Sequence, residues 1–349
     1  MDTLDRQSLA RLDELFGKAT NTAIVTHVHP DGDALGSSFG LQHYLNSRGV
    51  ASTVFVSDEV PETLRFVLEG AAEGQPIVAA EGLERAESLL ASADLLVCLD
   101  FNNFSRADLL SSSLKSLSCP KVLIDHHLRP DRESFDLCFS DTQVSSASEL
   151  LYHVLMEMPD VSGDASALPP HCARCLMTGM TTDTNNFANS TYPSTLEMAS
   201  KLIAAGVDRD SILYGIYNNY REERYRLLGH LLSDVLTITP DGVAYMVLGE
   251  EDKRKFDVRE GDTEAFVNMP LGIRGVRMSI FAKQQDESVY RISVRSEKGV
   301  SANVCAGNYF HGGGHENAAG GRLEIPADVT DPQSVATYIE TVTRKFFNE

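Results

Sequence analysis

Short apolar runs alternate with helical patterns through the first half of the chain. Continuous apolar strands separated by helices are typical of a parallel sheet that is covered on both faces. The pattern therefore predicts an α/β domain built on a doubly wound parallel sheet. Strands are predicted at 22–26, 52–56, 94–99 and 121–124, and helices at 34–48, 81–92, 146–156 and 172–180.

The pattern changes near residue 190, where strand signals become rare and helical segments at 194–205 and 220–232 predict a linker. Two predicted hairpins follow, each with a turn between alternating apolar segments. They favour a smaller α+β domain with an antiparallel sheet. We expect domains at 1–190 and 231–349, with a helical linker over 191–230. The hairpins pair 235–238 with 243–247, and 277–282 with 289–294.

Side chains that bind metal ions cluster at the ends of the predicted strands. Carboxyl ends of parallel strands meet at one edge of a sheet, and carboxylates gathered there repel one another unless a cation neutralises them. Two divalent cations close together can clamp a phosphoryl group and produce hydroxide at neutral pH. Mixed His and Asp ligands favour Mn²⁺, Co²⁺ or Zn²⁺ over Mg²⁺. The candidates are His27, Asp31, Asp33, Asp100, Asp125, His126, His127 and Asp183, the last expected in the loop beyond its helix.

The formal net charge of −20 argues against binding of long duplex DNA along a broad basic groove. The charge is uneven, because residues 271–300 carry six basic side chains against three acidic ones. A small anionic ligand is the partner that such a segment favours. The basic residues are Arg274, Arg277, Lys283, Arg291, Arg295 and Lys298.

The N-terminus shows no basic region followed by an apolar core, so no secretory signal is predicted. No apolar run approaches the roughly 20 residues that a membrane helix needs. Six scattered cysteines with mostly apolar neighbours are typical of reduced thiols. These features predict a cytoplasmic protein without a membrane partner. Whether it is a monomer or a homodimer is left open by the sequence.

Four sequence motifs resemble those of the DHH phosphoesterase superfamily: the first motif at 27–33, Asp100, the triplet at 125–127, and Asp183. The segment 312–320 (GGGHENAAG) resembles the hallmark of the DHH-associated C-terminal domain. The closest resemblance is to the nanoRNase type, which also includes phosphatases of 3′-phosphoadenosine 5′-phosphate (pAp) and is related to RecJ. The resemblance implies a catalytic first domain and a second domain that binds the substrate.

The resemblance also implies a role for each residue of the metal motifs. His27 and Asp31 would bind one metal, Asp33 the other, and Asp100 both. His126 and Asp183 would complete the second site. Asp125 would orient a histidine, and His127 would face the scissile phosphate as a ligand or proton donor. Two Mn²⁺ ions are the expected cofactors.

The glycine-rich segment of the second domain is expected to bind substrate. Glycines let a backbone approach a phosphate closely, with amide N–H groups as donors. An arginine upstream offers bidentate recognition of a terminal phosphate. The expected substrate-binding residues are Arg295, Ser296, Asn303, Gly312, Gly313, Gly314 and His315.

We therefore expect a metal-dependent phosphodiesterase that degrades oligoribonucleotides of two to four nucleotides, and we consider pAp phosphatase as a second activity. Three enzymatic alternatives stay open: a cyclic dinucleotide phosphodiesterase, a RecJ-like single-strand DNA exonuclease and a family II pyrophosphatase. A nucleotide-sensing module without catalysis is a fourth, although such a module would be expected to lack metal ligands.

Overall fold

The computed structural model describes residues 4–68 and 75–348, and it divides the chain into compact units at 1–219 and 220–349. The break falls inside the segment 191–230, for which a helical linker was predicted and in which helices span Pro193–Ala204, Arg209–Tyr217 and Glu222–His230. No helix in the described ranges combines the length and the apolar composition needed to cross a membrane.

The first unit alternates strands and helices along the chain. Its strands are β1 (Asn21–Val25), β2 (Ala51–Val56), β3 (Ile77–Val78), β4 (Leu95–Leu99), β5 (Lys121–Asp125) and β6 (Leu137–Ser140). Its helices are α1 (Arg6–Lys18), α2 (Gly32–Ser47), α3 (Leu83–Leu90), α4 (Ser111–Ser116), α5 (Ala147–Met156), α6 (Pro170–Asp183), α7 (Pro193–Ala204) and α8 (Arg209–Tyr217).

The first sheet is parallel throughout, with the strand order β3-β2-β1-β4-β5-β6. This confirms the predicted doubly wound α/β fold, and the four predicted strands form its centre. The order reverses between β1 and β4, and ligands of such sheets bind outside the carboxyl ends of the strands at that point. The sheet therefore presents its switch point where the candidate metal ligands follow β1 and β4.

Helices α2 and α6 pack closely because glycines line their contact. A Cβ atom at Gly36 would lie 2.7 Å from the amide nitrogen of Gly179, and one at Gly32 would lie 2.4 Å from the Thr182 side chain. Small residues let the helix backbones approach, and this approach brings the end of α6 to the carboxyl edge of the sheet. Asp183 is the last residue of α6, so its predicted place in the loop beyond the helix is wrong.

The reason is that threonines near the end of α6 do not end the helix. The Thr181 hydroxyl donates to the Met177 carbonyl oxygen and the Thr182 hydroxyl donates to the Gly179 carbonyl oxygen. Such bonds to the preceding turn satisfy the hydroxyl groups within the helix. The helix therefore continues as far as Asp183.

The second unit combines helices with a second six-stranded sheet. Its strands are β7 (Thr237–Ile238), β8 (Val243–Leu248), β9 (Met278–Gln284), β10 (Val289–Ser296), β11 (Gly313–Gly314) and β12 (Ala318–Glu324). Its helices are α9 (Glu222–His230), α10 (Glu250–Lys255), α11 (Ala302–Tyr309) and α12 (Ser334–Asn348).

The second sheet has the order β11-β12-β10-β9-β8-β7 and confirms the α+β class. Both predicted hairpins are present as antiparallel pairs. The prediction of a wholly antiparallel sheet is wrong, because β8 and β9 pair in parallel. The 249–277 connection is long enough for the crossover that parallel neighbours need, and short-range hairpin signals do not reveal such a pairing.

Candidate active site

Three strand ends and two helices position the candidate ligands of the first unit. His27 lies two residues beyond β1, and Asp100 directly follows β4 with a left-handed φ of 63°. Asp125 ends β5, so that His126 and His127 leave the sheet at the same edge. An aspartate adopts the left-handed conformation at a modest cost, and residues held in this way are often found at functional sites.

Asp100 lies between two groups of side chains that can each hold a metal ion. Its Oδ2 is 3.4 Å from His27 Nε2, which is itself 3.8 Å from Asp31 Oδ1. Its Oδ1 is 3.4 Å from His126 Nε2. The same His126 nitrogen is 3.9 Å from Asp33 Oδ2 and 3.7 Å from Asp183 Oδ2. One buried carboxylate thus faces both groups, an arrangement suited to bridging two cations.

Backbone amides of α5 hold the Asp33 carboxylate. Its Oδ2 accepts a hydrogen bond from the Ala147 amide at 2.6 Å, and its Oδ1 accepts one from the Ser148 amide at 2.9 Å. Both amides belong to the first turn of the helix, where N–H groups lack partners within the helix and favour an anion. Asp33 is therefore fixed before any ligand binds.

Asp31 is held in a similar way at the start of α2. Its Oδ1 accepts hydrogen bonds from the amides of Asp33 and Ala34, as an N-cap does. Unlike Asp33, the Asp31 side chain is 58% exposed. Asp31 thus has a structural role besides its candidate role as a ligand, and its second oxygen, Oδ2, is the more available for a cation.

His127 is oriented by Asp125. The His127 Nδ1 atom lies 2.7 Å from Asp125 Oδ1 and 3.6 Å from Asp100 Oδ1. A carboxylate at this distance fixes the ring and favours the tautomer with a proton on Nδ1. Asp125 is fully buried at the end of β5, so the pair is a rigid unit.

The pKa values show that the cluster is a set of mutually dependent charges. Burial opposes the charged form of His27, but Asp100 and Asp31 outweigh it and raise the pKa of His27 to about 9. Burial also opposes the ionisation of Asp100, yet His126 and His27 hold its pKa well below the usual range. Burial together with the Asp100 charge raises the pKa of Asp33. Without metal, the positive charges of the imidazolium groups therefore compensate the negative charges of the carboxylates.

Two buried oxygen atoms test whether the cluster fits a metal. Asp100 Oδ1 and Asp125 Oδ2 make no hydrogen bond within the described residues. A buried carboxylate oxygen that accepts no hydrogen bond is costly, and coordination to a divalent cation is one interaction that removes this cost. The Asp and His donor set fits Mn²⁺ and related cations. The residues present therefore fit the metal centre that the sequence predicts.

Two further positions lie beside the candidate ligands in the sequence: His29 in the first motif and the asparagines that follow Asp183. His29, which was not predicted as a ligand, lies with Nδ1 3.2 Å from Asp58 Oδ2 and accordingly outside the two groups. After Asp183, Asn185 and Asn186 both have positive φ values, 46° and 57°. Asparagine tolerates this conformation, which is ordinarily favoured by glycine. The chain can therefore turn here without a glycine.

The glycine-rich segment forms an edge of the second sheet. A Cβ atom at Gly312 would lie 1.8 Å from the Gly320 carbonyl oxygen, and one at Gly314 would lie 2.6 Å from the Ala318 carbonyl oxygen. These glycines are therefore required by the close approach of the segment to β12. Close packing against β12 thus explains why glycine occupies these positions, in addition to the predicted contact with phosphate.

Three amides that were candidate phosphate donors are used within the protein. The Gly312 amide donates to the Ala306 carbonyl oxygen, and the His315 amide donates to that of Ala318. The Gly314 amide donates to Asn303 Oδ1 at 2.9 Å. Binding of phosphate by this segment stays a prediction, and it now depends on side chains rather than on these amides.

The other predicted substrate-binding residues lie around the same segment. Ser296 is buried, and its hydroxyl donates to the Val300 carbonyl oxygen and accepts from Asn317 Nδ2. Arg295 is half-buried, and its Nη1 donates to the Val294 carbonyl oxygen. Ser296 therefore stabilises the segment, whereas Arg295 and His315 carry the cationic or polar ends that a phosphate needs.

The comparisons with known proteins agree with this architecture. Residues 21–180 match the model described as the DHH family, N-terminal domain, and residues 241–342 match the DHHA1 domain. The chain is 31% identical to the bifunctional oligoribonuclease and PAP phosphatase NrnA of Thermus thermophilus, over 86% of this chain and 83% of that protein. The chain belongs to the DHH family.

Further similarities place this DHH protein among its relatives. It shares 25% identity with the cyclic-di-AMP phosphodiesterase PdeA of Listeria monocytogenes, over 95% of this chain and 48% of that protein. A crystal structure described as an exopolyphosphatase-related protein from Bacteroides fragilis aligns with a TM-score of 0.89 and 34% identity, covering 99% and 97% of the two chains. RecJ from Thermus thermophilus shares the fold (TM-score 0.56, 15% identity, 99% of this chain and 55% of RecJ).

One contribution to the candidate site of this DHH protein was not predicted from the sequence. The α5 amides that hold Asp33 are backbone groups, and a search for reactive side chains does not find them. The signal was nevertheless present, because Ser146 and Glu149 mark the start of a helix. A predicted helix start is also a predicted anion site, and Asp33 was an available anion.

Proposed function

We propose that this DHH protein is a metal-dependent phosphodiesterase that hydrolyses oligoribonucleotides of two to four nucleotides, and that it also dephosphorylates pAp. The observation that carries the proposal is the position of Asp100, which faces both metal-binding groups from the carboxyl edge of the sheet. The similarity to oligoribonuclease and PAP phosphatase enzymes over most of the chain supports the choice of substrate.

In this proposal each group of side chains holds one divalent cation. His27, Asp31 and Asp100 hold the first. Asp33 and His126 hold the second together with Asp100, and the position of Asp183 beside His126 adds a further carboxylate. When bound, the two cations supply an activated water and stabilise negative charge on the phosphoryl oxygens. Mn²⁺ is our choice of cation, since it accepts both imidazole and carboxylate ligands.

The chain's own residues prepare proton transfer. Because Nδ1 of His127 is bonded to Asp125, a proton that His127 gives to the leaving oxygen would come from Nε2. The buried Asp125 stabilises the protonated ring and sets its orientation. His127 therefore acts as the proton donor, and Asp125 acts through it as a positioning residue.

The second domain binds the phosphorylated end of the substrate through Arg295 and His315. A guanidinium group recognises a phosphate through paired hydrogen bonds, and this contact distinguishes a nucleotide end from the interior of a long strand. A short substrate also brings few phosphates, which suits a chain with a net charge of −20. We place the enzyme in the cytoplasm, where its six free cysteines stay reduced.

The proposal is tested by measuring turnover with Mn²⁺ on four substrates in parallel: the linear dinucleotide pApA, pAp, cyclic di-AMP and pyrophosphate. We expect mononucleotide to be released fastest from pApA, with slower release of phosphate from pAp. Turnover of pyrophosphate alone would contradict the proposal. So would a lack of turnover of all four substrates by protein that binds Mn²⁺.

Hydrolysis of cyclic dinucleotides is the second candidate function, favoured by the similarity to PdeA. The same metal-binding side chains serve either substrate, so the geometry of the first unit does not separate them. The chain covers about half the length of PdeA, whereas it covers most of the NrnA relative. Faster opening of cyclic di-AMP than cleavage of pApA would select this second function.

A further inference from the structure

A row of basic side chains crosses the second sheet at a place that the proposed function does not use. In the register of the sheet, Arg291 of β10 lies directly opposite Arg322 of β12 on one side and Lys283 of β9 on the other. Directly paired residues of neighbouring strands project on the same side of a sheet. We refer to Lys283, Arg291 and Arg322 as the basic row.

The basic row is costly to the fold. Like charges directly opposite each other on neighbouring strands destabilise a sheet. Arg322 pairs with Glu324 at 2.7 Å and Lys283 pairs with Glu260 at 3.1 Å, which reduces the repulsion at the two ends. Arg291, at the centre, is exposed and makes no ion pair with a described residue. An arrangement of this kind favours an anion that the protein itself does not supply.

The basic row shares its face of the sheet with Arg295. Arg291 and Arg295 are four residues apart on β10, and the register with β12 is unbroken between them. Residues separated by an even number point to the same face, and four residues of strand span about 13 Å. This span exceeds the distance between adjacent phosphates of an extended strand. One dinucleotide bound at Arg295 therefore does not reach the basic row with its second phosphate.

Towards β12, the floor between these two basic positions is made of small residues, whereas towards β9 Ser293 is paired with Phe281, which is buried against Phe266 and Val267. Ser293 lies midway on β10 and is paired with Gly320 of β12. A Cβ atom at Gly320 would meet its nearest neighbour, the Ile292 carbonyl oxygen, at 3.4 Å, which is ordinary contact. Packing thus does not require this glycine, unlike Gly312 and Gly314. Glycine in a strand without a packing reason often marks a place where a ligand approaches the backbone.

We propose that this face is a track for the sugar-phosphate backbone of substrates longer than a dinucleotide. Arg295 holds a phosphate near one end, the strand lies over Ser293 and Gly320, and the basic row holds a phosphate about 13 Å away, by the strand rise. This inference rests on the proposed function and deepens it. The row makes the enzyme bind trinucleotides and tetranucleotides more tightly than dinucleotides.

The test compares two substrate lengths in variants of the row. The dissociation constants of phosphorothioate-linked tetra-adenylate and di-adenylate, whose linkages resist hydrolysis, are measured with Mn²⁺ at several salt concentrations. We expect the double variant Arg291→Gln/Arg322→Gln to bind the tetranucleotide about tenfold more weakly. The slope of the logarithm of its binding constant against the logarithm of the salt concentration should fall in magnitude by about one. Dinucleotide binding should change less than about twofold, since its phosphates do not reach the row.

Two controls separate the track from general effects of charge and folding. Arg274→Gln removes an exposed positive charge of the same segment outside the sheet and should leave both dissociation constants unchanged. Arg291→Lys should keep most of the tetranucleotide affinity. The melting temperature of the Arg291→Gln variant should be equal to or above that of the unmodified protein, because the substitution relieves repulsion.

The possible results are distinct from those that decide the proposed function. Equal losses for both lengths, no loss for the tetranucleotide, or an equal loss in the Arg274→Gln control would each overturn the track. If the unmodified protein cleaves pApA but binds the tetranucleotide no more tightly than the dinucleotide, the track is wrong and the function stands. If it binds the tetranucleotide through the row but cleaves no substrate, the function is wrong and the track stands.

Discussion

The carboxyl edge of the first sheet and the outer part of one face of the second sheet, at β10 and β12, both gather charge, but they stabilise it differently. At the first, Asp33, Asp100 and Asp125 are almost completely buried, and backbone amides or imidazoles hold each of them. On the second, Arg291 and Arg322 are exposed and lie opposite each other. Buried charges interact strongly and weaken little with salt, whereas exposed charges are screened.

The difference in burial suits the two regions to different tasks, catalysis at the first and contact with the substrate backbone at the second. Proton transfer and metal binding require atoms held at fixed distances, which a buried network provides. Contact with a backbone of variable length tolerates side chains that move, and exposed arginines provide that. Substitutions at the first region should therefore abolish turnover, while those at the second should change affinity in a salt-dependent manner. The following predictions test the first region, from the largest expected effect to the smallest.

The largest effect is expected for Asp100→Asn. The substitution removes the charge that faces both metal-binding groups and keeps the shape of the side chain. We expect a loss of turnover of about 10³-fold or more, together with weaker Mn²⁺ binding measured by calorimetry. Asp108→Asn is the matched control, because Asp108 is exposed and its φ of 42° suits asparagine equally well. Full turnover in the Asp100→Asn variant would disprove the proposed bridging role.

A smaller loss is expected when His127, the proposed proton donor, is replaced while the proposed metal ligands are kept. We expect His127→Gln to lower kcat by about 10²-fold or more, while Mn²⁺ affinity changes little. Asp125→Asn should lower kcat less and shift its pH profile, since Asp125 acts through the ring that it orients. If His127→Gln instead abolishes Mn²⁺ binding with kcat unaffected at saturating metal, His127 is a ligand and not the donor.

Gly179→Ala tests whether helix packing sets the site geometry. The new Cβ atom would lie 2.0 Å from Ser148 Oγ and 2.8 Å from Asp33 Oδ1, so the start of α5 must shift. We expect the free energy of unfolding to fall by about 1–3 kcal/mol. Turnover should fall as well, because Asp33 moves with the amides that hold it.

The control for this substitution is Gly17→Ala in α1. A Cβ atom at Gly17 meets nothing within 4 Å, so alanine there should stabilise the helix by up to about 1 kcal/mol and leave turnover unchanged. Equal stability of the two variants in urea unfolding would show that the approach of α6 to α5 is not a tight constraint.

The sequence predicts the parts of this fold whose signal is local. Buried strands with continuous apolar runs were found, and they place His27 and Asp100 at one edge because parallel strands share a direction. The strand Ile77–Val78 has only two residues and leaves no pattern to detect. The parallel pairing of β8 with β9 depends on contacts distant in the chain, which hairpin signals do not report.

The candidate site also has some features with a local signal in the sequence and others that depend on distant contacts. The types and order of the candidate ligands were visible in the sequence, since the chemistry restricts such ligands to Asp and His. The internal use of the Gly312 and Gly314 amides was not visible, because glycine serves close packing and ligand approach alike. Only the register of β10 with its neighbours distinguishes these uses and reveals the basic row.

The last prediction concerns stability alone, at Glu149, which supports the start of α5. Its buried carboxylate accepts hydrogen bonds from the Ser145 amide and the Thr195 hydroxyl. Burial opposes the charge, but His153, Ser145 and other hydroxyl groups outweigh it and lower the pKa of Glu149 to about 2. A lowered pKa in the folded state means that ionised Glu149 stabilises the protein above the unfolded-state pKa near 4.5.

This stabilisation should disappear as the pH falls from about 4.5 to about 2. We expect Glu149→Gln to lower the free energy of unfolding at pH 7 by about 1–3 kcal/mol. The difference from the unmodified protein should shrink over that acidic range, measured by urea unfolding at each pH. Glu157→Gln, at an exposed position just beyond α5, should show neither effect. A difference for Glu149→Gln that does not change with pH would mean that the side chain acts by its shape and hydrogen bonds, and that its charge does not stabilise the start of the helix that holds Asp33.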